Sequence, residues 1–186
     1  MRKLKLQMQV SIDGFVAGPK GEMDWMKWNW GDDINAYVGD ITKNISTIII
    51  GRKLAEGFIP YWDDAAKKEE PIKGAEELSG TPKVVFTHTL KEHHWPNTTL
   101  ATGSLEEEIA KLKAEDGGDI IAYGGGTFVS SLITAGLIDE YFLLVNPTAI
   151  GNGMPIFAQR TEKLSLTLVE AKAFDCGITA LHYKKQ

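Results

Sequence analysis

The chain has 186 residues, 43% of them hydrophobic and 24% charged, with 20 Lys and Arg against 25 Asp and Glu for a net charge of −5. These ordinary globular proportions exclude a disordered chain, and a length a little above one average domain of roughly 150 residues is enough to bury a core without staples. The absence of a basic block argues against a nucleic-acid surface, no apolar run reaches the roughly 18 residues of a membrane span, and the single Cys176 fits a reducing cytoplasm.

Met1–Lys5 carries charge but no unbroken apolar stretch and no small-residue cleavage site, so it does not read as a secretory signal. Leu4, Leu6, Met8, Val10 and Ile12 alternate with polar residues and predict a half-buried strand, which Asp13-Gly14 breaks. Phe15-Val16-Ala17 is a short continuation before the turn Gly18-Pro19-Lys20-Gly21. Met23–Trp30 holds three of the five tryptophans and has no clear periodicity. Either Asp32 or Asp33 caps a helix running to about Asn44, with Ile34, Val38 and Ile41 on one stripe. Ser46–Ile50 is a β-branched run ending at Gly51-Arg52, the pattern of a central parallel strand buried on both faces. Residues 63–79 are polar and interrupted by Pro71, compatible with a helix pair or a surface excursion.

Lys83–Thr87 is the next strand. Ser104 and Glu107 form a capping-box pair opening a helix with the stripe Leu105, Ile109, Leu112. Gly117-Gly118 ends it, and Asp119–Tyr123 is a strand. A helix over Thr127–Ala135 follows, closed by Gly136. Glu140–Val145 is a strand, and Ser165–Phe174 with Ile178–Tyr183 predicts an antiparallel hairpin. The alternation predicts one α/β domain over residues 1–186, with a mostly parallel sheet and an antiparallel C-terminal hairpin.

Glycine is in excess, 19 of 186 residues or about 10% against a typical value of roughly 7%. In a parallel sheet, ligands bind outside the carboxyl ends of the strands, and Asp13-Gly14, Gly51-Arg52, Thr87-His88 and Gly124-Gly125-Gly126 all fall at such ends. The triple glycine, between a strand and a helix, is either a phosphate cradle of backbone N–H groups or a tight packed turn. It is not the G-x-G-x-x-G fingerprint, because position 129 is Val, and no Walker lysine is present. Arg52 is a bidentate fork for phosphate or a solvated side chain. Thr87 and His88 offer polar groups or a simple turn. Asp13 orients a ligand or bonds its own turn, and Asp32 and Asp33 include a proton donor or are cap-region acids. The tryptophans near residue 25 are core or a cofactor stack. His93-His94 lacks metal-ligand spacing, and no Gly-x-Ser-x-Gly elbow supports hydrolase chemistry.

Taken in order, Val10-Ser11-Ile12-Asp13-Gly14-Phe15-Val16-Ala17, Ile48–Arg52, Lys83–Thr87 and Ile121–Gly126 resemble the dihydrofolate reductase-like superfamily. Ile150-Gly151-Asn152-Gly153-Met154-Pro155-Ile156-Phe157 favours the branch of the reductase domain that forms the C-terminal half of the riboflavin-biosynthesis deaminase-reductase. The resemblance spans about residues 3 to 184. It implies a three-layer α/β/α fold and a reductase that carries hydride from NADPH to a small heterocycle, such as 5-amino-6-(5-phosphoribosylamino)uracil. It places Gly124, Gly125, Gly126 and Thr127 along the cofactor diphosphate, Gly51 and Arg52 near the phosphates, and Thr87 and His88 near the adenosine 2′-phosphate. Ala17 and the Asp13-Gly14 turn flank the nicotinamide, and Asp33 or a water supplies the proton. Family members are often dimers, so a homodimer is expected. Residues 53–83 contain no Arg for a folate glutamate tail, and the zinc pattern of a deaminase half is absent. The alternatives are a pterin reductase and a nucleotide-binding protein without catalysis.

Overall fold

In the computed structural model, which describes residues 1–158 and 162–186, the apolar alternation of the first segment becomes β1 (Leu4–Ser11). Leu4, Leu6, Met8 and Val10 all enter one core. The strand stops one residue earlier than its pattern suggests: Gly14 N–H closes a turn on the Ser11 carbonyl at 2.9 Å, leaving Ile12 66% exposed. β2 (Phe15–Ala17) follows, then a long connection to α1 (Asp32–Thr42), β3 (Ile45–Gly51), α2 (Arg52–Ala66), α3 (Ala75–Gly80), β4 (Lys83–Phe86) and β5 (Thr98–Ala101). The second half comprises α4 (Leu105–Ala114), β6 (Asp119–Gly124), α5 (Gly126–Thr134), β7 (Glu140–Asn146), β8 (Met154–Pro155), β9 (Leu166–Ala173) and β10 (Thr179–Lys185).

Eight strands form one sheet in the order β5-β4-β3-β6-β1-β7-β10-β9. The first six are parallel, and β10 then runs antiparallel to both β7 and β9, giving the expected terminal hairpin. Helices cover both faces. Ile109 and Leu112 of α4 and Val129, Leu132 and Ile133 of α5 pack with β1 and β6 on one side. On the other, Ile34 and Ile41 of α1 meet Leu144, Phe142 and Ile121, while Ala55 and Ile59 of α2 meet Ile50 and Val85. The layering is therefore α/β/α. The β-branched run of β3 is buried on both faces, with Ile48, Ile49 and Ile50 at most 1% exposed; burying each contributes about 1.5–3 kcal/mol.

Three local readings change. The N-cap of α1 is Gly31, and Asp32 and Asp33 both lie inside the first turn. The segment after Gly51 is a helix of 15 residues that accommodates Pro60 in its interior. That proline has no N–H for the ladder and obscured the helix in the sequence. β5 and β8 are too short, four and two residues, to produce a pattern. Ser104 caps α4 as expected, accepting from Glu107 N–H at 3.4 Å. No helix among the described residues is long and apolar enough to cross a membrane.

Candidate active site at the carboxyl edge of the sheet

Because β1, β3, β4, β6 and β7 run in parallel, their carboxyl ends share one edge of the sheet. Gly51 ends β3 and Gly124 ends β6, its neighbour, and each leads directly into a helix. The two turns touch. A methyl group on Gly51 would stand 2.9 Å from Cβ of Phe128 and 3.4 Å from the Gly125 nitrogen, so only glycine lets them approach this closely. Gly124 has φ +142°, and a methyl there would meet the Leu54 side chain at 2.7 Å. The Gly124–Gly125 peptide is cis.

The electrostatic consequence lies in the caps. Gly51 caps α2 and Gly125 caps α5; neither cap has a side-chain hydrogen bond, and neither first turn carries an acid. By contrast, α1, α3 and α4 begin with Asp32 and Asp33, with Glu76 and Glu77, and with Glu106, Glu107 and Glu108. Two adjacent helix N-termini, each carrying a partial positive charge, are thus left without an internal anion. This donor set suits a diphosphate.

The remaining predicted binding residues surround these turns to different degrees. Arg52 opens α2 and is held by Glu56 one turn on, at 2.5 Å. Thr87 is buried at the end of β4, and its hydroxyl accepts from the N–H groups of Thr89 and Leu90 at 3.2 and 3.0 Å; His88 beside it is exposed. Thr127 is exposed in the first turn of α5. β2 crosses the glycine turn, with Cγ2 of Val16 within 3.3 Å of where a methyl on Gly126 would lie. Ala17 pairs with Met154 of β8, and its carbonyl lies 2.3 Å from where Gly153 would carry a Cβ. Gly153 is therefore the residue that lets the second glycine segment close against β2.

The two candidate acids act as clamps. Asp13 accepts from Ser11 Oγ at 2.6 Å, from Gly151 N–H at 2.7 Å and from Ile150 N–H at 3.1 Å, fastening the β1–β2 turn to the loop before β8. Asp33 accepts from Ile34 N–H at 2.8 Å and from Asp175 N–H at 2.9 Å, fastening α1 to the β9–β10 turn. The Ser11 hydroxyl and then the backbone donors hold the Asp13 carboxyl below its ordinary range, and the backbone donors, Asp175 first, do the same for Asp33. Both carboxyls are thereby favoured in the ionised form near neutrality.

Sequence reasoning missed the polar floor beside them. Asn146, fully buried at the end of β7, donates to Gln9 Oε1 at 3.0 Å and accepts from Lys27 N–H at 2.8 Å, which ties the tryptophan-rich connection to the sheet. Alternation along β1 placed Gln9 on its polar face, but its partner Asn146 lies 137 residues away. Trp28 and Trp30 stack on each other at 6.3 Å, Trp30 also packs beside Ile34 and Phe174, and Trp28 stays 64% exposed. A separate cavity of about 510 Å³, lined by Thr47, Trp95, Asn97 and Glu115, lies at the opposite, amino end of the strands.

The pattern of the RibD C-terminal domain family matches residues 2–180. The uncharacterised protein YyaP of Bacillus subtilis (strain 168) is 31% identical over 185 residues, covering 98% of this chain and 94% of its own. In fold, the chain is similar to a protein of Shewanella sp. PV-4 described as a riboflavin biosynthesis protein, with TM-score 0.77, 21% identity and 99% of each chain covered. It is also similar to the dihydrofolate reductase of Enterococcus faecalis solved with NADP(H) and RAB-propyl, with TM-score 0.66, 16% identity and coverage of 99% and 96%. The architecture is therefore dihydrofolate reductase-like, and the family and its neighbours support a reductase-type function.

Proposed function

Starting from a chain that belongs to the RibD C-terminal domain family, we propose that it is an NADPH-dependent reductase acting on a small nitrogen heterocycle of the riboflavin-pathway type, resembling 5-amino-6-(5-phosphoribosylamino)uracil. The observation that carries this reading is the pair of touching helix N-termini, α2 and α5, with glycine caps and no acid in either first turn. Among the described residues, each of the other three helices carries acids in its first turn, which suits a diphosphate less well. The E. faecalis reductase, which shares this fold, is complexed with NADP(H).

In this reading the N–H groups of Gly126 and Thr127, with Gly51, Gly124 and Gly125 as bare backbone, hold the diphosphate. Arg52 leaves Glu56 to meet phosphate, and Thr87 and His88 flank the adenosine 2′-phosphate. Ala17 and the Asp13-Gly14 turn border the nicotinamide. When bound, the reduced cofactor supplies the hydride. The chain orients donor and acceptor, and water at the exposed carboxyl edge supplies the proton, since Asp13 and Asp33 are both ionised clamps. The subunit works as a homodimer.

Titrating NADPH while following tryptophan fluorescence should give saturable quenching in the micromolar range, because Trp25, Trp28 and Trp30 lie on the connection tied to this edge. Failure to bind both NADPH and NADH would overturn the reading.

A further inference from the structure

The connection between β2 and α1 crosses the carboxyl edge of the sheet. It leaves from Ala17, whose neighbour Val16 stands against Gly126 of the glycine turn. It meets the sheet again at Lys27, beside Asn146 at the end of β7. β1 lies between β6 and β7, and its last residue, Ser11, is level with Asn146. Residues 18–30 therefore run from the glycine turn over the end of β1 to the end of β7. Most of this strap is exposed, and it carries Trp25, Trp28 and Trp30.

Its own hydrogen bonds do not hold it there. Among the described residues, those of Gly18 to Met26 all close within the segment. Gly18 N–H donates to Glu22 O at 2.8 Å, Gly21 N–H to Gly18 O at 3.0 Å and Met26 N–H to Met23 O at 3.2 Å. Lys20 N–H donates to Glu22 Oε2 at 2.8 Å, and the Trp25 indole to Glu22 O at 3.2 Å. The first bond to the sheet is Lys27 N–H to Asn146 Oδ1, at 2.8 Å. Order spreads from that point, because the Lys27 carbonyl accepts from the Trp30 indole at 2.8 Å and Trp30 packs beside Ile34 of α1. Asn146 is fully buried, and its Nδ2 is committed to Gln9 Oε1 at 3.0 Å and Leu144 O at 3.2 Å. With both donors taken, the amide cannot turn, and its oxygen stays aimed at Lys27.

We propose that Asn146 is a positioning residue of the carboxyl-edge site: through Lys27 it fixes the tryptophan-rich strap across the end of β1, and the affinity of that edge for its ligand depends on the strap being held. The choice of NADPH as the ligand rests on the reductase reading above; the anchoring does not. With the strap released, only the fraction of chains that keep it in place binds, and affinity falls by that fraction. The test digests the full chain with trypsin under native conditions. Cleavage after Lys27 and after Lys172 in β9 is followed by mass spectrometry, and NADPH affinity is measured in parallel. Asn146→Leu, of similar size, should speed cleavage after Lys27 by about tenfold or more, leave Lys172 within about twofold, and weaken NADPH about fivefold or more. Asn146→Asp keeps the acceptor while Gln9 turns its amide to donate to the second oxygen, so both readouts should stay within about threefold of the wild type. If Asn146→Leu does not fold, Lys27→Pro removes only the donor, at an exposed position, and cleavage after Lys20 reads the same release.

Equal acceleration at Lys27 and Lys172 would make Asn146 a core amide only and overturn the assignment. Faster cleavage after Lys27 with unchanged NADPH affinity would overturn it too, as would cleavage that does not change. A wild type that binds no NADPH but shows the expected cleavage pattern would sink the reductase reading and leave the anchor in place.

Discussion

At Arg52 the competition is between an internal carboxylate and an external phosphate. The guanidinium meets Glu56 at 2.5 Å, but Glu56 is about half exposed, and exposed pairs one helical turn apart stabilise by only about 0.3–0.5 kcal/mol. A phosphate offering two oxygens to the planar fork displaces such a partner. If that phosphate is the 2′-phosphate, Arg52→Ala should weaken NADPH about tenfold while changing NADH little; equal losses for both cofactors would place the contact at the diphosphate, and in either case Glu56→Ala should tighten NADPH by up to a few fold. A second residue-scale consequence concerns His182, which stacks on Phe142 at 4.0 Å and meets Glu140 at 3.2 Å. Burial pushes its pKa below 6.5, outweighing the raising effect of Glu140. A histidine depressed in the folded state binds fewer protons folded than unfolded, so its contribution is complete above 6.5 and is lost as pH falls through the folded value. Glu140 adds a loss at lower pH, since Lys3, paired at 2.7 Å, helps hold its carboxyl below 4.5 despite burial. The thermal midpoint should fall as pH drops from 7 to 5, and His182→Gln should flatten that fall; an unchanged slope would exclude His182 as its source.

Among elements, α5 separates binding from stability. Thr127 is exposed in a first turn that lacks any acid, so Thr127→Asp adds a carboxylate where the helix end favours one by about 0.3–1 kcal/mol. The thermal midpoint should hold or rise while NADPH affinity falls at least tenfold, because the new charge occupies and repels the diphosphate position. Retained affinity would remove α5 from the cofactor site. The glycine-ended strands behind this prediction were legible because they are local features: short apolar runs closed by glycine, Ile48–Ile50 and Ile120–Tyr123, need no distant partner to be recognised. α2 was obscured by Pro60 and β5 by its length of four residues. The long-range contacts of the acids were not legible. Asp33 bonds Asp175 and Asp13 bonds Gly151, 142 and 138 residues away, and only the assembled sheet creates those contacts. Asn146 is the same case: its polarity is visible in the sequence, but its partners Gln9 and Lys27 lie 137 and 119 residues away.

On the scale of the whole molecule, the two edges of the sheet are treated differently. β5 is four residues long and follows Pro96, a blunt edge that gives little for another strand to extend. β9 is eight residues long, pairs among the described residues with β10 alone, and leaves Leu168 53% and Val169 45% exposed. Such an edge is an open template unless it is covered. A second copy would cover it with matching charge: antiparallel pairing about a two-fold axis at Ala171 would set Glu170 of each copy opposite Lys172 of the other, a favourable cross-strand pair. Sedimentation equilibrium at micromolar concentration should therefore give about twice the subunit mass. Leu168→Lys or Val169→Lys should shift the species to monomer while leaving NADPH binding within twofold, since β9 lies four strands from β6 and its glycine turn. A wild-type chain that stays monomeric at about 100 μM would show that this edge is left open, and the alternating charges of β9 would then act only to discourage association.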